Sequence, residues 1–336
     1  MKGMETRDIV DEDDEVDFVE HLFAATSHDY LMFFTNTGRV YIERVYQIPE
    51  GSRIAKGRSI KNLLNLKPDE SIASVLRIVA VGNEDKDATF VDDQFVLFAT
   101  RSGKVKKTKL SDFRNFRKDG IIAIKIEEGN ELIDVKMTDG SDDISLVTSK
   151  GYAVRTNESN IRSMGRASAG VRGINPRDDD YLVSLAVVDS SEQLLVVSEK
   201  GLGKRTPFED YPTKGRGGKG VITMKVTEKT GRVVKALRVS EADDIMLMTN
   251  KGQSVRIKAS SARLTGRNAQ GVILMKTKEG EAIQDIARVV NDDIEDEEVT
   301  DVEGVEVAEG TEAPESTTSA EDVATEENGE ESSSES

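Results

Sequence analysis

The chain repeats one pattern five times, and this repetition constrains its fold more than any other feature of the sequence. In each copy an acidic or polar residue precedes a run of apolar residues, and a short polar turn then ends in glycine. The turn glycines are Gly38, Gly103, Gly151, Gly201 and Gly252. They are separated by 65, 48, 50 and 51 residues, and the longer first interval indicates a loop insertion near residues 82–88. A period of this length is typical of stacked repeat architectures.

A second glycine follows each turn at an almost constant distance. Gly57, Gly120, Gly170, Gly220 and Gly271 lie 19, 17, 19, 19 and 19 residues after their turn glycines. Each stands shortly before another apolar segment, as in Gly-Val-Ile-Thr-Met from Gly220. Because unrelated glycines would not keep that offset in every copy, we interpret the repeat as a structural unit.

The composition of each copy predicts β-strands rather than helices. The apolar runs are short, rich in Val, Ile, Leu and Phe, and bounded by turn residues. Glycine ends each turn because a hairpin needs positive φ there. After the turn apolar and basic residues alternate, as in Val255-Arg256-Ile257-Lys258, which predicts one packed face and one face in water. Roughly four strands fit into each copy, so we predict an all-β, propeller-like disc of about five four-stranded blades.

The net charge of −17 is distributed unevenly along the chain. Residues 291–336 contain 19 acidic residues and no Lys or Arg, and they show no sustained apolar periodicity. We predict that this tail is disordered, because it has too little apolar surface to offset the entropy of ordering. Residues 1–17 are also acidic and are interpreted as a linker, whereas residues 18–290 carry a net charge of +8 and are predicted to form the folded domain. A body of this sign attracts polyanions.

The composition excludes several classes of function. The chain has no Cys and two His, His21 and His28, which excludes disulfides and thiolate chemistry and argues against a histidine-rich metal site. No apolar run approaches the roughly 18 residues that a membrane span needs, so we expect a cytoplasmic protein. The Gly- and Lys-rich stretch 214–220 lacks the spacing of a nucleotide-binding loop. We predict neither a catalytic residue nor a metal site.

Basic residues recur at fixed places in the repeat. Four residues after the turn glycine stand Lys107, Arg155, Arg205 and Arg256, and further cations cluster near the second glycine. Because equivalent positions of stacked blades lie at equivalent places, we predict a basic rim around the disc. The predicted rim consists of Arg39, Lys56, Arg58, Lys104, Lys106, Lys107, Arg114, Arg117, Lys118, Arg155, Arg162, Arg166, Arg172, Lys204, Arg205, Lys214, Arg216, Lys219, Arg256, Lys258, Arg263 and Arg267.

Two interpretations of this charge pattern stay open at this point. Basic residues on exposed strand faces keep a β-protein soluble and discourage edge-to-edge aggregation. Alternatively, their recurrence at one register indicates a surface that binds a polyanion. Such binding would be to phosphates rather than to bases, because aromatic residues form 5% of the chain and none recurs as a stacking platform. It would then depend weakly on sequence and strongly on salt.

Several segments resemble the C-terminal domain family of the DNA gyrase A protein. They are Thr35-Asn-Thr-Gly-Arg-Val-Tyr, Arg162-Ser-Met-Gly-Arg-Ala-Ser-Ala-Gly-Val-Arg-Gly-Ile, Gly203-Lys-Arg-Thr, Tyr211-Pro-Thr-Lys-Gly-Arg-Gly-Gly-Lys-Gly-Val and Thr265-Gly-Arg-Asn-Ala-Gln-Gly-Val. The resemblance covers about residues 18–290. It implies a β-pinwheel of six four-stranded blades, whose basic rim binds and wraps double-stranded DNA.

The same resemblance implies a place in a larger enzyme. In this family the domain belongs with the remainder of the gyrase A protein and with the gyrase B protein in an A2B2 type II topoisomerase. That holoenzyme introduces negative supercoils with ATP and magnesium bound on other parts, so no cofactor is expected in this chain. The resemblance also implies a bacterial cytoplasmic location, associated with the nucleoid.

Three features depart from the family pattern. The chain has five repeats rather than six, which indicates a missing or truncated first blade. The family's box, Gln-Arg-Arg-Gly-Gly-Lys-Gly, belongs to that blade, whereas the nearest match here lies in the fourth repeat, at Arg216, Gly217, Gly218, Lys219 and Gly220. None of the tyrosines stands in the Arg-Tyr-Thr setting of the breakage–reunion residue. We therefore expect a fragment of a longer polypeptide, without topoisomerase activity of its own.

Other functions stay open from the sequence. The corresponding domain of topoisomerase IV is the nearest alternative, although the regular repeats, the box-like loop and the acidic tail favour gyrase. A propeller-like scaffold that binds proteins is an alternative of a different class. The acidic tail either keeps the protein soluble or, as a tethered polyanion, competes with DNA for the basic rim.

Overall fold

The computed structural model describes residues 25–51, 57–81 and 86–289. The predicted linker 1–17, the predicted tail 291–336 and Lys56 lie outside these residues. The chain divides into two units, Met1–Asp292 and Asp293–Ser336, and every described residue belongs to the first. The helices in the described ranges are all too short or too polar to cross a membrane.

The described residues form β-strands joined by short turns. Helical structure in them is limited to α1 (Lys86–Thr89) and to 3-10 turns at Val45–Gln47, Ile60–Asn62, Leu110–Phe113, Glu158–Asn160, Phe208–Asp210 and Ala259–Ser261. In chain order the strands are β1 (Tyr30–Thr35), β2 (Arg39–Arg44), β3 (Ile72–Ile78), β4 (Phe95–Thr100), β5 (Lys104–Lys109), β6 (Ile121–Ile122), β7 (Leu132–Thr138), β8 (Asp143–Thr148), β9 (Tyr152–Asn157), β10 (Val171–Arg172), β11 (Leu182–Val187), β12 (Gln193–Ser198), β13 (Leu202–Pro207), β14 (Val221–Ile222), β15 (Val233–Val239), β16 (Asp244–Thr249), β17 (Ser254–Lys258), β18 (Val272–Ile273) and β19 (Ile283–Val289).

The strands assemble into antiparallel sheets, which we call blades 1 to 5. Their strand orders are β3-β1-β2-β6, β7-β4-β5-β10, β11-β8-β9-β14, β15-β12-β13-β18 and β19-β16-β17. The first strand in each order packs against the first strand of the next blade, so β3, β7, β11, β15 and β19 form the inner edges. The predicted all-β pinwheel is confirmed.

The outermost strand of a blade comes from the following repeat. Strand β6, for example, follows the second hairpin along the chain but pairs with β2 of blade 1, where Ile121 lies opposite Val40. Blade 5 has three strands rather than the predicted four, because no further repeat follows it in the described residues. Each of the first four sheets is therefore completed by chain from the next repeat, which ties consecutive blades together.

Both glycine landmarks lie where consecutive repeats touch, except for Gly57 of the first repeat, where a Cβ would meet no atom within 4 Å. A Cβ on Gly201, in the hairpin turn of blade 4, would stand 2.0 Å from the Met275 carbonyl oxygen. A Cβ on Gly271, just before β18, would stand 2.3 Å from the Gly203 carbonyl oxygen. Both glycines also have positive φ, +73° and +86°, a conformation that L side chains disfavour. Glycine is required here for contact between repeats as well as for the turn.

The hydrophobic core consists of clusters that span neighbouring blades. Between blades 1 and 2 the rings of Phe34 and Phe98 meet edge to face at 5.5 Å, and Phe113 packs against both. Between blades 4 and 5, Leu195 belongs to the same cluster as Ile245. Full burial of one such side chain contributes about 1.5–3 kcal/mol. Each blade therefore depends on its neighbours for much of its stability.

A loop from each of the second to fifth repeats lies over the outer part of the preceding blade. We call these segments the covering loops. They comprise residues 114–120 on blade 1, 162–170 on blade 2, 212–220 on blade 3 and 263–271 on blade 4. Blade 5 has no covering loop within the described residues, since it is the last blade described.

Candidate nucleic-acid interface

The covering loops on blades 2, 3 and 4 are attached in the same way. An amide of each loop donates to the carbonyl oxygen of the residue four positions after the turn glycine: Met164 to Lys107 (2.8 Å), Lys214 to Arg155 (2.9 Å) and Thr265 to Arg205 (2.9 Å). At these places the loop runs parallel to the second hairpin strand and forms a single β-bridge with it. The repeat therefore fixes each loop at an equivalent position on its blade.

Each of these loops also contacts the chain of the repeat before it. Three amide-to-carbonyl hydrogen bonds make the contacts: Lys125 to Ser168 (3.1 Å), Gly217 to Gly173 (2.5 Å) and Lys225 to Ala269 (3.5 Å). Successive covering loops are thereby linked through the backbone of the outer strands and the residues that follow them. The result is a strip of loop backbone that continues from blade 2 to blade 4.

The structure sorts the predicted rim cations into three groups by exposure. The exposed ones are Arg58, Arg117, Lys118, Arg162, Arg172, Lys214, Arg216, Lys219, Arg256, Lys258 and Arg263. The half-buried ones are Arg39, Lys104, Arg114, Arg155, Arg166 and Arg267. The buried ones are Lys106, Lys107, Lys204 and Arg205. Most of the exposed group lies in the covering loops, and Arg172 follows one of them directly.

The cations nearer the sheets have carboxylate partners. Lys104 pairs with Glu127, and Arg155 pairs with Asp143 at 2.8 Å. In the covering loops and the strands that follow them, by contrast, the described residues give no ion pair to Arg117, Lys118, Arg162, Arg172, Lys214, Arg216, Lys219 or Arg263. Lys118 interacts electrostatically with the Glu43 carboxylate, whereas the other seven form no ion pair with a described carboxylate.

Two cations of the predicted register are buried and bonded inside their blades. The ammonium of Lys107 donates to the Glu158 carbonyl at 3.0 Å and lies 3.4 Å from the carboxylate of the same residue. The guanidinium of Arg205 donates to the Ala262 carbonyl at 2.8 Å and to the Glu241 carboxylate at 3.0 Å. The prediction that Lys107 and Arg205 face outward is wrong, because the chain of the next repeat lies over them.

Lys106 and Lys204 are also buried, and both have no exposed surface. Loss of hydration lowers the pKa of Lys106 to about 7 and that of Lys204 to about 8. The prediction that these two lysines lie on the rim is wrong for the same reason, since covering loops lie over them. A side chain without solvent contact cannot meet a phosphate.

The box-like loop on blade 3 is anchored by its own arginine. Arg216 donates to the carbonyl oxygens of Asn160 (3.0 Å) and Arg172 (3.1 Å). A Cβ placed on Gly215 or Gly218 would meet no atom within 4 Å, so neither glycine is required by a close contact inside the domain. The loop therefore presents an open, glycine-rich backbone to the outside between exposed cations.

A second arginine, Arg177, supports the same loop and was not identified from the sequence. Its guanidinium lies 3.5 Å from the centroid of the Tyr152 ring and donates to the Lys219 carbonyl at 2.6 Å. The equivalent positions of the neighbouring repeats hold Glu127 and Thr227. Of the other repeats, only the fifth has a cation at this position, Lys278, so the pattern contained little signal for it.

Among the described residues, one group of carboxylates comes close together, formed by Asp139, Asp142 and Glu158. Buried Glu158 accepts hydrogen bonds from the amides of Gly140 (2.8 Å) and Asp142 (3.0 Å). Burial raises the pKa of Asp142. These protein donors account for the cluster as a structural network that closes the turn between β7 and β8.

A family of known domains matches the repeats. The model of the family described as "DNA gyrase C-terminal domain, beta-propeller" matches residues 29–78, 94–139, 142–189, 192–240 and 243–289. Each matched segment begins just before one of the five hairpins and ends at the inner strand of the same repeat.

Similar sequences come from several bacteria, and they are A subunits of DNA gyrase. That of Halalkalibacterium halodurans is 48% identical over 292 residues, that of Clostridium acetobutylicum 42% over 296, and that of Escherichia coli (strain K12) 40% over 290. These matches cover 87%, 87% and 86% of this chain, but 34%, 35% and 32% of the relatives. The chain thus spans about a third of the length of these relatives.

Two solved structures share the architecture. The DNA gyrase A C-terminal domain matches with a TM-score of 0.67 and 27% identity, covering 79% of this chain and 84% of that one. The C-terminal domain of DNA topoisomerase IV matches with a TM-score of 0.69 and 27% identity, covering 78% and 80%. The family match covers most of the chain, and the blades account for its five segments. The chain therefore belongs to the family of DNA gyrase C-terminal domains.

Proposed function

We propose that this domain binds duplex DNA along its covering loops and bends it, as a part of a DNA gyrase. The observation that carries the proposal is the continuous strip of covering loops on blades 2 to 4, whose exposed cations have no ion pair within the described residues. A polyanion that follows this strip meets new cations at every blade.

The contacts available on this strip favour the phosphate backbone of DNA. The exposed charged residues of the covering loops on blades 2 to 4 are all Arg or Lys, which contact phosphates without reading the sequence. The open glycines Gly215 and Gly218 allow a phosphate to approach the backbone closely. The strip has five exposed cations whose side chains make no hydrogen bond within the described residues: Arg162, Arg172, Lys214, Lys219 and Arg263. If each neutralises a phosphate, affinity falls with salt with a log–log slope of about −4 to −5.

Bending requires contacts at several blades at once. Duplex DNA is stiff over about 50 nm, so the cost of curvature must be offset by many simultaneous interactions. A series of similar loops on consecutive blades meets this requirement. We infer that DNA follows the loops rather than the buried register of Lys107 and Arg205.

The proposal includes the enzyme to which the domain belongs and the place in the cell where that enzyme acts. The relatives are A subunits of DNA gyrase, and this chain corresponds to about a third of their length. We infer that the domain works with the remainder of a gyrase A protein and with the gyrase B protein in an A2B2 enzyme in the bacterial cytoplasm, at the nucleoid. ATP and magnesium would act on other parts of that enzyme, and this domain would direct DNA for negative supercoiling.

Topoisomerase IV is the second candidate, because its C-terminal domain matches this fold as well as that of gyrase does. The relatives at 40–48% identity are gyrase A proteins, which favours gyrase. One experiment distinguishes the gyrase type from the topoisomerase IV type. Closed circular DNA is relaxed by a topoisomerase in the presence of the domain, and the linking number of the product is measured. A shift in linking number supports wrapping and gyrase, whereas binding without a shift supports the topoisomerase IV type.

The DNA-binding surface is tested by removing loop charges. The variant Arg162→Ala, Arg172→Ala, Lys214→Ala, Lys219→Ala, Arg263→Ala should lose most affinity for a duplex of about 150 base pairs, and its salt slope should fall by about 4–5. The matched control removes five exposed lysines outside the covering loops: Lys67, Lys200, Lys229, Lys251 and Lys278. Equal losses in both variants, or no DNA binding by the wild type, would contradict the proposal and favour a protein-binding scaffold.

A further inference from the structure

We propose that Lys106 and Lys204 are positioning residues, which hold two covering loops in the shape that meets DNA without touching DNA themselves. This inference rests on the proposed function. Both lysines stand three residues after a turn glycine, at the same place in blades 2 and 4. Both are buried in the described domain, and both point their ammonium groups at the covering loop above them.

Lys106 reaches two segments of chain from the middle of β5. Its ammonium donates to the carbonyl oxygen of Ala123 at 2.5 Å and to that of Arg166 at 2.5 Å. Ala123 follows the outer strand of blade 1, and Arg166 lies in the covering loop on blade 2. A Cβ on Gly170 would stand 3.0 Å from the Cβ of Lys106, so the loop closes tightly over this lysine.

Lys204 makes the equivalent contact two blades later. Its ammonium donates to the carbonyl oxygens of Gly266 (2.8 Å) and Arg267 (2.6 Å), both in the covering loop on blade 4. In each blade one of the accepting carbonyls belongs to a loop arginine, Arg166 or Arg267. The buried ammonium therefore fixes the backbone of a residue whose own cation is predicted for the rim.

Blades 1 and 3 have no lysine at this position, and other side chains hold their covering loops or the chain nearby. The equivalent residue is Tyr41 in blade 1 and Val154 in blade 3. The Tyr41 hydroxyl lies 2.8 Å from the Glu70 carboxylate and 3.0 Å from the Asn65 carbonyl oxygen, and neither acceptor belongs to the covering loop. On blade 3, where Val154 has no donor, the loop is held by Arg216, which is then occupied with carbonyl oxygens. A buried lysine leaves the loop arginines of blades 2 and 4 available.

Lysine suits this role because its ammonium carries three donors on a flexible stem. Burial costs hydration, which agrees with the pKa of about 7 for Lys106 and about 8 for Lys204. The neutral amine still has two N–H groups, enough for both carbonyls of each site. The loop is therefore held both when the side chain is protonated and when it is neutral. The two lysines act as structural donors rather than as a pH switch.

The first test replaces both donors by an apolar side chain of similar length. Lys106→Met with Lys204→Met should weaken binding to a duplex of about 150 base pairs at least about ten-fold and reduce the salt slope by about 2, although no exposed charge has been removed. Val154→Met is the matched control at the equivalent position of blade 3 and should bind as the wild type does. Unchanged affinity of the folded double variant would overturn the inference.

The second test restores the ammonium chemically and separates positioning from folding. Because the chain has no Cys, Lys204→Cys can be alkylated under denaturing conditions with 2-bromoethylamine, which recreates a lysine-like side chain, or with 1-bromopropane, which gives the same length without nitrogen. After refolding, the aminoethyl form should recover wild-type affinity and salt slope, and the propyl form should not. Equal affinity of the two forms would contradict a role for the ammonium.

A third measurement needs no variant. Acetylation of surface lysines in the free protein should modify Lys214 and Lys219 but spare Lys106 and Lys204, and DNA should protect only the first pair. Labelling of Lys106 or Lys204 that DNA prevents would make them direct contacts and overturn the inference. If the wild type binds no DNA, the proposed function itself fails. If it binds and loses affinity only with the loop-charge variant, this inference alone fails.

Discussion

Blades 4 and 5 have hairpins of the same design but bury their second strands very differently. In β13 of blade 4, the residues from Leu202 to Thr206 are all buried. In β17 of blade 5, exposed and half-buried residues alternate from Ser254 to Lys258. Blade 4 carries the outer strand β18 and a covering loop, whereas blade 5 has neither within the described residues. The hairpin itself does not decide whether its basic residues are buried; the next repeat does.

This comparison explains which charge predictions failed. Alternation of apolar and basic residues predicts a water-facing basic side, and β17 has that arrangement because no covering loop lies over it within the described residues. In β13 the same register holds Lys204 and Arg205, and the side chain of Arg205 is 4% exposed against 53% for Arg256. In blade 4 the following repeat supplies the acceptors: Lys204 donates to carbonyl groups of the covering loop, and Arg205 donates to the carbonyl group of Ala262, just before that loop.

The largest effect should come from reversing a charge at this register. Arg205→Glu places an unpaired carboxylate in a buried site beside Glu241, so we expect a loss of about 3–5 kcal/mol in the free energy of unfolding. Arg256→Glu, at the same position of blade 5, should cost less, about 1–2 kcal/mol: it removes the ion pair of Arg256 with the buried Asp244, but the Arg256 side chain is 53% exposed and Lys258 still lies 3.0 Å from the Asp244 carboxylate. Urea unfolding of both variants measures the difference. Similar losses would show that burial does not separate the two blades.

A smaller effect is expected for glycines. Gly271→Ala would force a Cβ to within 2.3 Å of the Gly203 carbonyl oxygen at positive φ, and should cost about 3 kcal/mol. Gly280, near blade 5, also has positive φ, but a Cβ there would stand 3.8 Å from the Lys251 ammonium, so Gly280→Ala should cost about 1 kcal/mol. Thermal unfolding checks both. The contrast fails if the two substitutions lower the melting temperature equally.

The smallest expected effect is a dependence on pH. The pKa of Lys204 is about 8 when folded and returns to its ordinary value of 10.5 on unfolding, so the unfolded state binds more protons between these values. The wild type should therefore gain on the order of 2 kcal/mol of unfolding free energy from about pH 7 to about pH 9.5, relative to Lys204→Met. Lys258→Met in blade 5 is the control and should follow the wild type. A parallel pH profile of wild type and Lys204→Met would refute the burial of this charge.

The sequence predicted most of the fold because each hairpin is formed by residues that are close together along the chain. Apolar runs, turn residues and glycines such as Gly201 mark the hairpins directly, and their period predicts the number of blades. The sequence did not predict that the outer strand is exchanged between repeats, and so the three-stranded blade 5 was not expected. Strand exchange leaves no mark in the hairpin that receives the strand.

The candidate site could be predicted only in part. The cations of the covering loops, such as Arg162 and Lys214, were identified from their recurrence and are exposed. Lys106, Lys107, Lys204 and Arg205 were identified by the same criterion and are buried. Recurrence gives the position of a residue in the repeat, but it does not tell whether water or another segment of chain lies above it.

The sequence by itself therefore determined the repeat, its strands and its hairpin turns, because these depend on neighbours along the chain. The tertiary structure alone decided which basic residues lie in solvent and which donate to carbonyl groups inside the protein. The physical reason is that a lysine's environment depends on the loop contributed by the next repeat, which for Lys106 and Lys204 lies 60 to 63 residues further along the chain.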